Sequence, residues 1–555
     1  MIDPLHVDFS NTPVSPNRPT FSYIPADPHA APVVSIVTPF FNSGEIFHET
    51  AASVLRQSFQ QWEWIIVDDG SDHTESVALP DVYAQKDPRV RVIRSAGRTG
   101  PAAARNLGVS QARARYIAFI DSDDLYEPTA IEKWLWFLES HPQFSMVKGF
   151  QVGFGAEEYL WREGFHSGAA ILERNMIQTA SLIRRDVYTG VGGMDDTILG
   201  GMEDWDLWLK CASAGYWGGT VPEFLDWYRR RQSHNDRWQD WDDGHREAAF
   251  REMLRCRYPR LFAGEFPQPS QEFQLPYAEL PAGPDFDNRL SRGPGIQRVL
   301  MIVPHLVVGG SDKFTLDLIA ELISRHEFEV TVAATLPAAH PWRHRFESLT
   351  PDVFTLDTFL RLRDYPRFLA YLVRSRNVDS LLVMHSQLGY QLLPYLRTEC
   401  PGIKCYDYVH IEEPHWKQGG YPAFSVAYSS FLDHTAASSE HLRDLMVRRG
   451  GDTEKISVVT TNIDVDYWRR ACFDAPALRR KWDVPSDLPV LLFAGRICEQ
   501  KRPHILAKTL LALRERGWRF VCLVAGEGEQ RPWLERFVSD HDLTEVRLLG
   551  ARSLE

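Results

Sequence analysis

The sequence predicts an α/β chain of successive, mostly parallel sheets wrapped by helices, the last sheet incomplete. Three observations carry that prediction. From residue 33 onward, short apolar, β-branched runs alternate with amphipathic helical patterns. The alternation dissolves into a charged and then Pro- and Gly-rich stretch, and restarts at Arg298. After Pro489 only three strand candidates remain, near 490, 520 and 546, fewer than a free-standing doubly wound domain usually has, so the chain is expected to end inside a domain.

The first strands are read at Val33 to Thr38, Trp64 to Val67, Val90 to Ile93 and Tyr116 to Ile120. A helix from about Glu45 to Ser58 turns Phe47, Ala51, Val54 and Leu55 inward, and another follows Pro128, whose fixed φ suits a first helical turn. The second series begins with RVLMIVP, a Gly-Gly turn and a helix with Phe314, Leu318, Ile319, Leu322 and Ile323 on one face. Strands at Leu381 to Met384, Lys404 to Val409 and Ile456 to Val459 continue it. The expected division is an N-terminal extension at 1–31, a first domain at 32–233, a helical and Pro/Gly-rich linker at 234–296, a second domain at 297–480 and a partial third at 481–555. In sheets of this kind, ligands sit at the carboxyl ends of the strands, so function is expected in the loops that follow them.

Composition narrows the classes. With 555 residues, 44% hydrophobic and 24% charged, the chain is an ordinary globular protein of more than one domain. A net charge of −13 and the lack of any long Lys/Arg run argue against a nucleic-acid partner. Seven cysteines at 211, 256, 400, 405, 472, 498 and 522 are odd in number and scattered, as expected of reduced cytosolic thiols. The first seventeen residues carry Asp3, His6 and Asp8 where a secretory signal would be basic and then apolar. A soluble cytoplasmic protein is expected, with peripheral contact at the inner face of the plasma membrane left open.

Three acidic loops stand out. Asp68-Asp69-Gly70-Ser71 follows the strand WIIV, Asp121-Ser122-Asp123-Asp124 follows YIAFI, and Glu203-Asp204 opens a Trp-rich helix. Each has an ordinary structural explanation: an Asx turn, a helix cap, and a favourable helix dipole. Together they offer a hydrogen-bond acceptor for a base edge, neighbouring carboxylates that repel unless a divalent cation joins them, and a general base.

The stretches VSIVTPFFNSGEIFHETAASVLRQSFQQWEWIIVDDGS, GPAAARNLGVSQARARYIAFIDSDDLYEP and GGMEDWDLWLKCASAGY resemble the family 2 glycosyltransferases in order and spacing, over about residues 32 to 232. The resemblance implies a GT-A fold and transfer from a nucleotide sugar with inversion at the anomeric carbon. It places Pro39 and Phe41 beside the nucleobase, Asp69 on its edge, Asp121 at the ribose, Asp123 on Mn²⁺ or Mg²⁺ against the diphosphate, and Asp204 as general base. Arg98 stands where the family often has Asn. Arg105 is expected to pack or to orient its loop, and Arg231 and His234 are candidates for a loop over the diphosphate.

The later stretches VPHLVVGGSDKFTLDLIAEL, HIEEPHW, ASSEHLRDLMVRRGGDTEKISVVTTNIDVDYW and LLFAGRICEQKRPHILAKTLLAL resemble the family 4 glycosyltransferases, of GT-B fold and retaining stereochemistry. That resemblance implies donor contacts from Gly309, Gly310, Arg496 and Lys501 without a metal, and a histidine near the sugars at His410. The family's N-G-I-D reads Thr461-Asn462-Ile463-Asp464, and its downstream acidic motif would lie beyond Glu555. His340 and His344 lack a third ligand for a metal site.

The reading is therefore a two-module enzyme that uses a nucleotide sugar, UDP being the commonest family choice, and a glycan or lipid-linked acceptor in cell-surface polysaccharide synthesis. The alternatives are a catalytic first module on a noncatalytic scaffold and a nonenzymatic nucleotide-sugar sensor, which would need no general base. A dehydrogenase is set aside because no G-x-G-x-x-G follows a strand with an acidic residue beyond it.

Overall fold

Strand β1 (Ile24–Pro25) precedes the first long apolar run, and the chain then lays down β2 (Val34–Phe40), β3 (Trp62–Asp68), β4 (Val90–Arg94), β5 (Tyr116–Phe119), β6 (Leu125–Tyr126), β7 (Met146–Gly155), β8 (Tyr159–Trp161), β9 (Ser181–Arg184) and β10 (Gly218–Arg230). The computed structural model describes residues 23–199, 201–231, 244–268, 283–461, 463, 465–470 and 474–552. His234, Asn462, Asp464, most of the N-terminal extension and 269–282 of the linker fall outside the described residues.

The first sheet is mixed, in the order β4-β3-β2-β5-β9-β7-β10-β6, with β8 paired to β7. Strands β2 to β5 are parallel, as the alternating pattern predicts. Strand β9 runs antiparallel to β5 and β7, and β6 antiparallel to β10. The predicted helix at 45–58 is a 3₁₀ turn, Gly44–Ile46, followed by the α-helix Phe47–Leu55, with Phe47, Ala51 and Val54 buried. The helix after Pro128 runs Ala130–Ser140. Strands β7 and β9 were not evident from the apolar pattern, because β7 buries Lys148 and Gln151 and includes three glycines.

Strand β11 (Leu290–Ser291) pairs with β1. The second sheet comprises β12 (Gln297–Val303), β13 (Phe328–Ala334), β14 (Val353–Thr355), β15 (Ser380–Met384), β16 (Lys404–Val409), β17 (His434–Ala437) and β18 (Ile456–Val458). It is parallel throughout, ordered β14-β13-β12-β15-β16-β17-β18. Residues 1–461 form one compact unit that holds both of these sheets. The second unit, 462–555, carries a three-stranded parallel sheet of β19 (Val490–Ala494), β20 (Val521–Ala525) and β21 (Val546–Gly550).

Within the first unit the two sheets share a core. The helix Ala130–Ser140 is buried on nearly every side, as expected of a helix packed between layers. Trp136 meets Phe286, Phe368 and Tyr371 edge-on, with ring centroids 4.9–5.9 Å apart. The stretch read as a linker contributes to this packing. Phe286 and Asn288 are buried against both sheets, and Leu254, Tyr258 and Leu261 join the core of the first module. Few apolar residues in a polar, proline-rich background conceal that role in the sequence.

The same helix carries two buried charges. Arg376, from the helix Tyr365–Arg376, donates to both oxygens of Glu132 at 2.6 Å and to Asp352 at 2.8 Å. Tyr371 and Ser58 also donate to Glu132, each at 2.5 Å, and Tyr23 donates to Asp352 at 3.1 Å. Breaking such a buried pair from one side leaves the opposite charge uncompensated, at a cost of about 3–5 kcal/mol. Arg376→Ala is therefore expected to lower the stability of the unit holding residues 23–461 by about 3–5 kcal/mol in urea unfolding, more than Arg376→Ala combined with Glu132→Gln and Asp352→Asn.

Candidate active site

The loops that leave the carboxyl ends of β2, β3 and β5 converge, as the parallel arrangement requires. Asp69 is buried after β3 and acts as a clamp. One carboxylate oxygen accepts from the Thr99 amide at 2.8 Å and hydroxyl at 2.6 Å, and the other accepts from the Gly100 amide at 2.7 Å. The loop 95–100 is thereby drawn against β3, with Gly70 at φ +80° and a Cβ there only 3.0 Å from the Arg98 amide. Arg98 lies over the Phe41 ring, 4.3 Å from its centroid, and Phe41 and Pro39 are half-buried at the end of β2. The sequence motif thus resolves into a structural role for Asp69 in shaping the surface where Pro39, Phe41 and Arg98 lie.

Arg105 is the buried centre of the site. Its guanidinium reaches Asp121 on one side and Glu203, at 2.8 Å, on the other. It ties the loop after β5 to the N-terminus of the helix Glu203–Ser213. The two carboxylates more than offset the cost of burying the guanidinium and raise its pKa above the usual arginine range. Its role as an orienting residue agrees with the sequence reading, and the structure adds that it orients two of the three acidic loops at once.

The loop 121–124 is packed against the end of β10. Arg229 donates its amide to Asp124 at 2.9 Å, its Nε to the Asp123 carbonyl at 2.9 Å and an Nη to Glu49 at 2.5 Å. Arg231 grips the Asp123 carboxylate through Nε at 2.8 Å and Nη2 at 2.7 Å. Residues two apart on a strand share a face, so the YRRRQ tract places both arginines toward the acidic loop. The sequence flagged Arg231; Arg229 was missed because strand phase cannot be read from a run of identical residues. Burial raises the pKa of Asp123 and Asp124, and repulsion among Asp121, Asp123 and Asp124 adds to it, while Arg231 pulls Asp123 the other way.

Asp204 stands in the first turn of the helix Glu203–Ser213. Met202, immediately before it, holds a left-handed φ of +68°, a conformation costly for a non-glycine residue and concentrated at functional sites. Asn175 donates to one oxygen of Asp204 at 2.9 Å, and the Thr179 hydroxyl lies 3.4 Å from the other. Burial, and then the neighbouring Glu203, push its pKa up to about 7, against the pull of Arg105. Three tryptophans, two of them on this helix, explain how the partners are held. Trp205, Trp208 and Trp217 donate ring N–H groups to the carbonyls of Ile171, Ile177 and Phe165, at 2.7, 2.8 and 2.9 Å, and so fix the segment that carries Asn175.

Beneath the loop, Asp226 of β10 accepts from Gln151 at 2.6 Å, and burial raises its pKa to about 6. In the second sheet, Gly309 and Gly310 open the helix Gly310–Ser324 after β12. His410 follows β16, its amide donating to His385 at 3.1 Å and its ring 4.8 Å from Phe314. Burial lowers the pKa of His385 to about 3 and of His410 to about 4. His305, Asp312, His385 and His410 line one small cleft there. Arg496 and Lys501 belong to the second unit, exposed after β19. Among the described residues, no helix is long and apolar enough to cross a membrane.

Residues 35–199 match the description Glycosyl transferase family 2. Over 108 residues the chain is 41% identical to the putative teichuronic acid biosynthesis glycosyltransferase TuaG of Bacillus subtilis (strain 168), covering 19% of this chain and 42% of that protein. It is 38% identical over 100 residues to the glycosyltransferase GlyG of Streptococcus pneumoniae serotype 4, with 18% and 33% covered, and 32% identical over 196 residues to an uncharacterized glycosyltransferase of Rickettsia felis, with 34% and 32% covered. The chain spans less than half the length of each of these relatives. Among solved structures, a glycosyltransferase from Rickettsia africae aligns at 18% identity and a TM-score of 0.37, covering 46% of this chain and 69% of that one. Residues 1–349 of S. aureus TarS in complex with UDP-GlcNAc align at 18% identity and a TM-score of 0.33, covering 36% and 59%. The segment 35–199, which contains Asp69, Arg105, Asp121 and Asp123 and ends just short of Asp204, is a glycosyl transferase family 2 domain.

Proposed function

We propose that the first module transfers a sugar from a nucleotide-sugar donor, a UDP-sugar first among the candidates, to a hydroxyl of a glycan or lipid-linked acceptor. The observation that carries this reading is the Asp204 carboxylate, held by Asn175 and Thr179 with a pKa of about 7, in a site that Arg105 joins to the acidic loop 121–124. A base poised near neutrality accepts the acceptor's proton as its oxygen attacks the anomeric carbon, and the bond to the diphosphate breaks in the same displacement, which inverts that centre. The base is separate from the groups assigned to the leaving diphosphate. The Phe41 ring and Pro39 would border the nucleobase, with Asp69 holding the adjoining loop and its edge contact, and Asp121 would face the ribose.

The carboxylates of loop 121–124 suit a hard divalent cation, since their oxygens are the ligands Mn²⁺ and Mg²⁺ favour and their mutual repulsion is relieved by positive charge. Asp123 would hold the ion, with Asp121 beside it; among the described residues no group of three or more His, Cys, Asp or Glu forms a ready-made cage, and the donor phosphates would supply further ligands. When bound, such an ion neutralises charge developing on the leaving diphosphate. Arg231, paired with Asp123 here, would turn its guanidinium to the same phosphates.

The naming of TuaG as a teichuronic acid biosynthesis enzyme supports a role in cell-surface polysaccharide synthesis. For the second module, the cleft lined by His305, Asp312, His385 and His410, beside the helix that Gly310 opens, supports a nucleotide-sugar site of the family 4 kind. Its burial against the first module through Glu132, Arg376 and Asp352 favours a scaffold role alongside.

Incubation with UDP-, GDP- and dTDP-sugars, with Mn²⁺ or EDTA and a glycan acceptor panel, tests the assignment through nucleoside diphosphate release. Release should require the metal, disappear in Asp123→Ala and persist in Arg496→Ala; persistence in Asp123→Ala would refute the metal role. Asp204→Asn should slow transfer by about 10²–10⁴-fold. Because Asp204 must be ionised to accept a proton, kcat/KM should fall as pH drops below about 7. A flat profile from pH 5 to 8 would count against Asp204 as the base.

A further inference from the structure

Strand β10 links the acidic loop to the second sheet, and its geometry is irregular at one place. Against β7 it pairs regularly up to Thr220 with Lys148, then resumes at Phe224 with Phe150 and at Asp226 with Gln151, so extra residues bulge out on β10 between these points. Gly149 lies opposite the bulge. A Cβ on it would come within 2.7 Å of the Leu225 Cβ and 2.8 Å of the Glu223 carbonyl oxygen, so only glycine admits the bulge at this spacing. Bulges re-aim side chains and shift the register of everything beyond them.

The side chain that this bulge aims is Glu223, which is fully buried. From the second module, Arg343 donates to it at 2.5 Å, and the hydroxyls of Thr355 and Thr358 each donate at 2.5 Å. From the first module, only Lys133, at 2.8 Å, is paired with it among the described contacts. Burial alone would raise the pKa of Glu223, yet Arg343 and then Lys133 hold it well below the usual carboxylate range, so it stays ionised. A charged carboxylate out of water keeps its position only while these partners remain.

Downstream of the bulge, β10 runs against the acidic loop and the residues that follow it. The Leu225 carbonyl accepts from the Glu127 amide at 2.9 Å, and Asp226 and Trp227 pair with Tyr126 and Leu125 directly after residues 121–124. Arg229 and Arg231 follow, on Asp124 and Asp123. We propose that Arg343 is a positioning residue for the donor-site loop: by fixing Glu223 in the bulge, the second module sets the register at which β10 presents Arg229 and Arg231 to Asp123 and Asp124. The first module's acidic loop is thus positioned through a residue of the second module, 120 positions beyond Glu223. Its meaning for donor binding rests on the function proposed above; the positioning itself does not.

The test uses the full chain without ligand, comparing backbone hydrogen exchange in Arg343→Met, Arg343→Lys and the milder Thr358→Val. Exchange across 121–127 and 225–231 should rise about tenfold or more in Arg343→Met, less in Thr358→Val, and return to within about threefold of the parent in Arg343→Lys, while 34–40 in β2 stays protected. Unchanged exchange at 225–231, or an equal rise at 34–40, would overturn the proposal, since either leaves no specific link between Arg343 and the loop. UDP affinity in Mn²⁺ is measured on the same proteins and should weaken in parallel with the exchange at 121–127. A parent chain that binds no UDP would refute the UDP reading, and the exchange pattern would still decide the role of Arg343.

Discussion

One buried guanidinium holds the architecture of the first unit. Arg376 lies between Glu132 of the first module and Asp352 of the second sheet, with all three side chains out of water. Two carboxylates and one guanidinium in a low-dielectric interior are tolerable only because each oxygen finds further donors, among them Tyr371, Ser58 and Tyr23. The aromatic seam around Trp136 joins the two sheets, and the buried charges within it penalise any slip that would leave an ion without its partner.

That constraint reaches the site through the elements it fixes. The helix Ala130–Ser140 starts a few residues after the acidic loop, and Lys133 on it faces the same Glu223 that Arg343 holds. Arg105 provides the complementary tie on the other side, between Asp121 and Glu203. The acidic loop is thus braced by arginines from two directions, which offsets the mutual repulsion of its carboxylates.

Much of this was legible in the sequence, for identifiable reasons. The parallel strands β2, β3, β5 and β12 announce themselves because nearly all their residues are buried and mostly apolar, whereas β13, β14 and β17 were not read from the sequence. The acidic loops were found because their carboxylates follow strands directly. Strand β7 escaped notice because its buried Lys148 and Gln151 serve polar partners rather than the core. Asn175 and Thr179 were invisible because only the tertiary fold brings them to Asp204. Asp69 was recognised as important, but its dense bonding to the loop 95–100 depends on contacts about thirty residues away that no local pattern encodes. The fused core was hidden for a related reason: no local pattern shows that both faces of the helices carrying Glu132 and Arg376 are covered.

The separation of Glu132 from Arg376 along the chain, 244 residues, also sets a timetable. A ribosome adds roughly 5–20 residues per second, so Glu132 emerges roughly 10–50 s before its counter-ion exists. During that interval the first sheet can pair its own strands, yet the face of the helix Ala130–Ser140 that carries Trp136 lacks Phe368 and Tyr371 to cover it. The nascent chain therefore passes through a period in which a large aromatic surface and an unmatched carboxylate are displayed together. Holdase chaperones bind exposed surfaces of that kind, and synthesis speed across residues 140–376 becomes a determinant of yield in its own right.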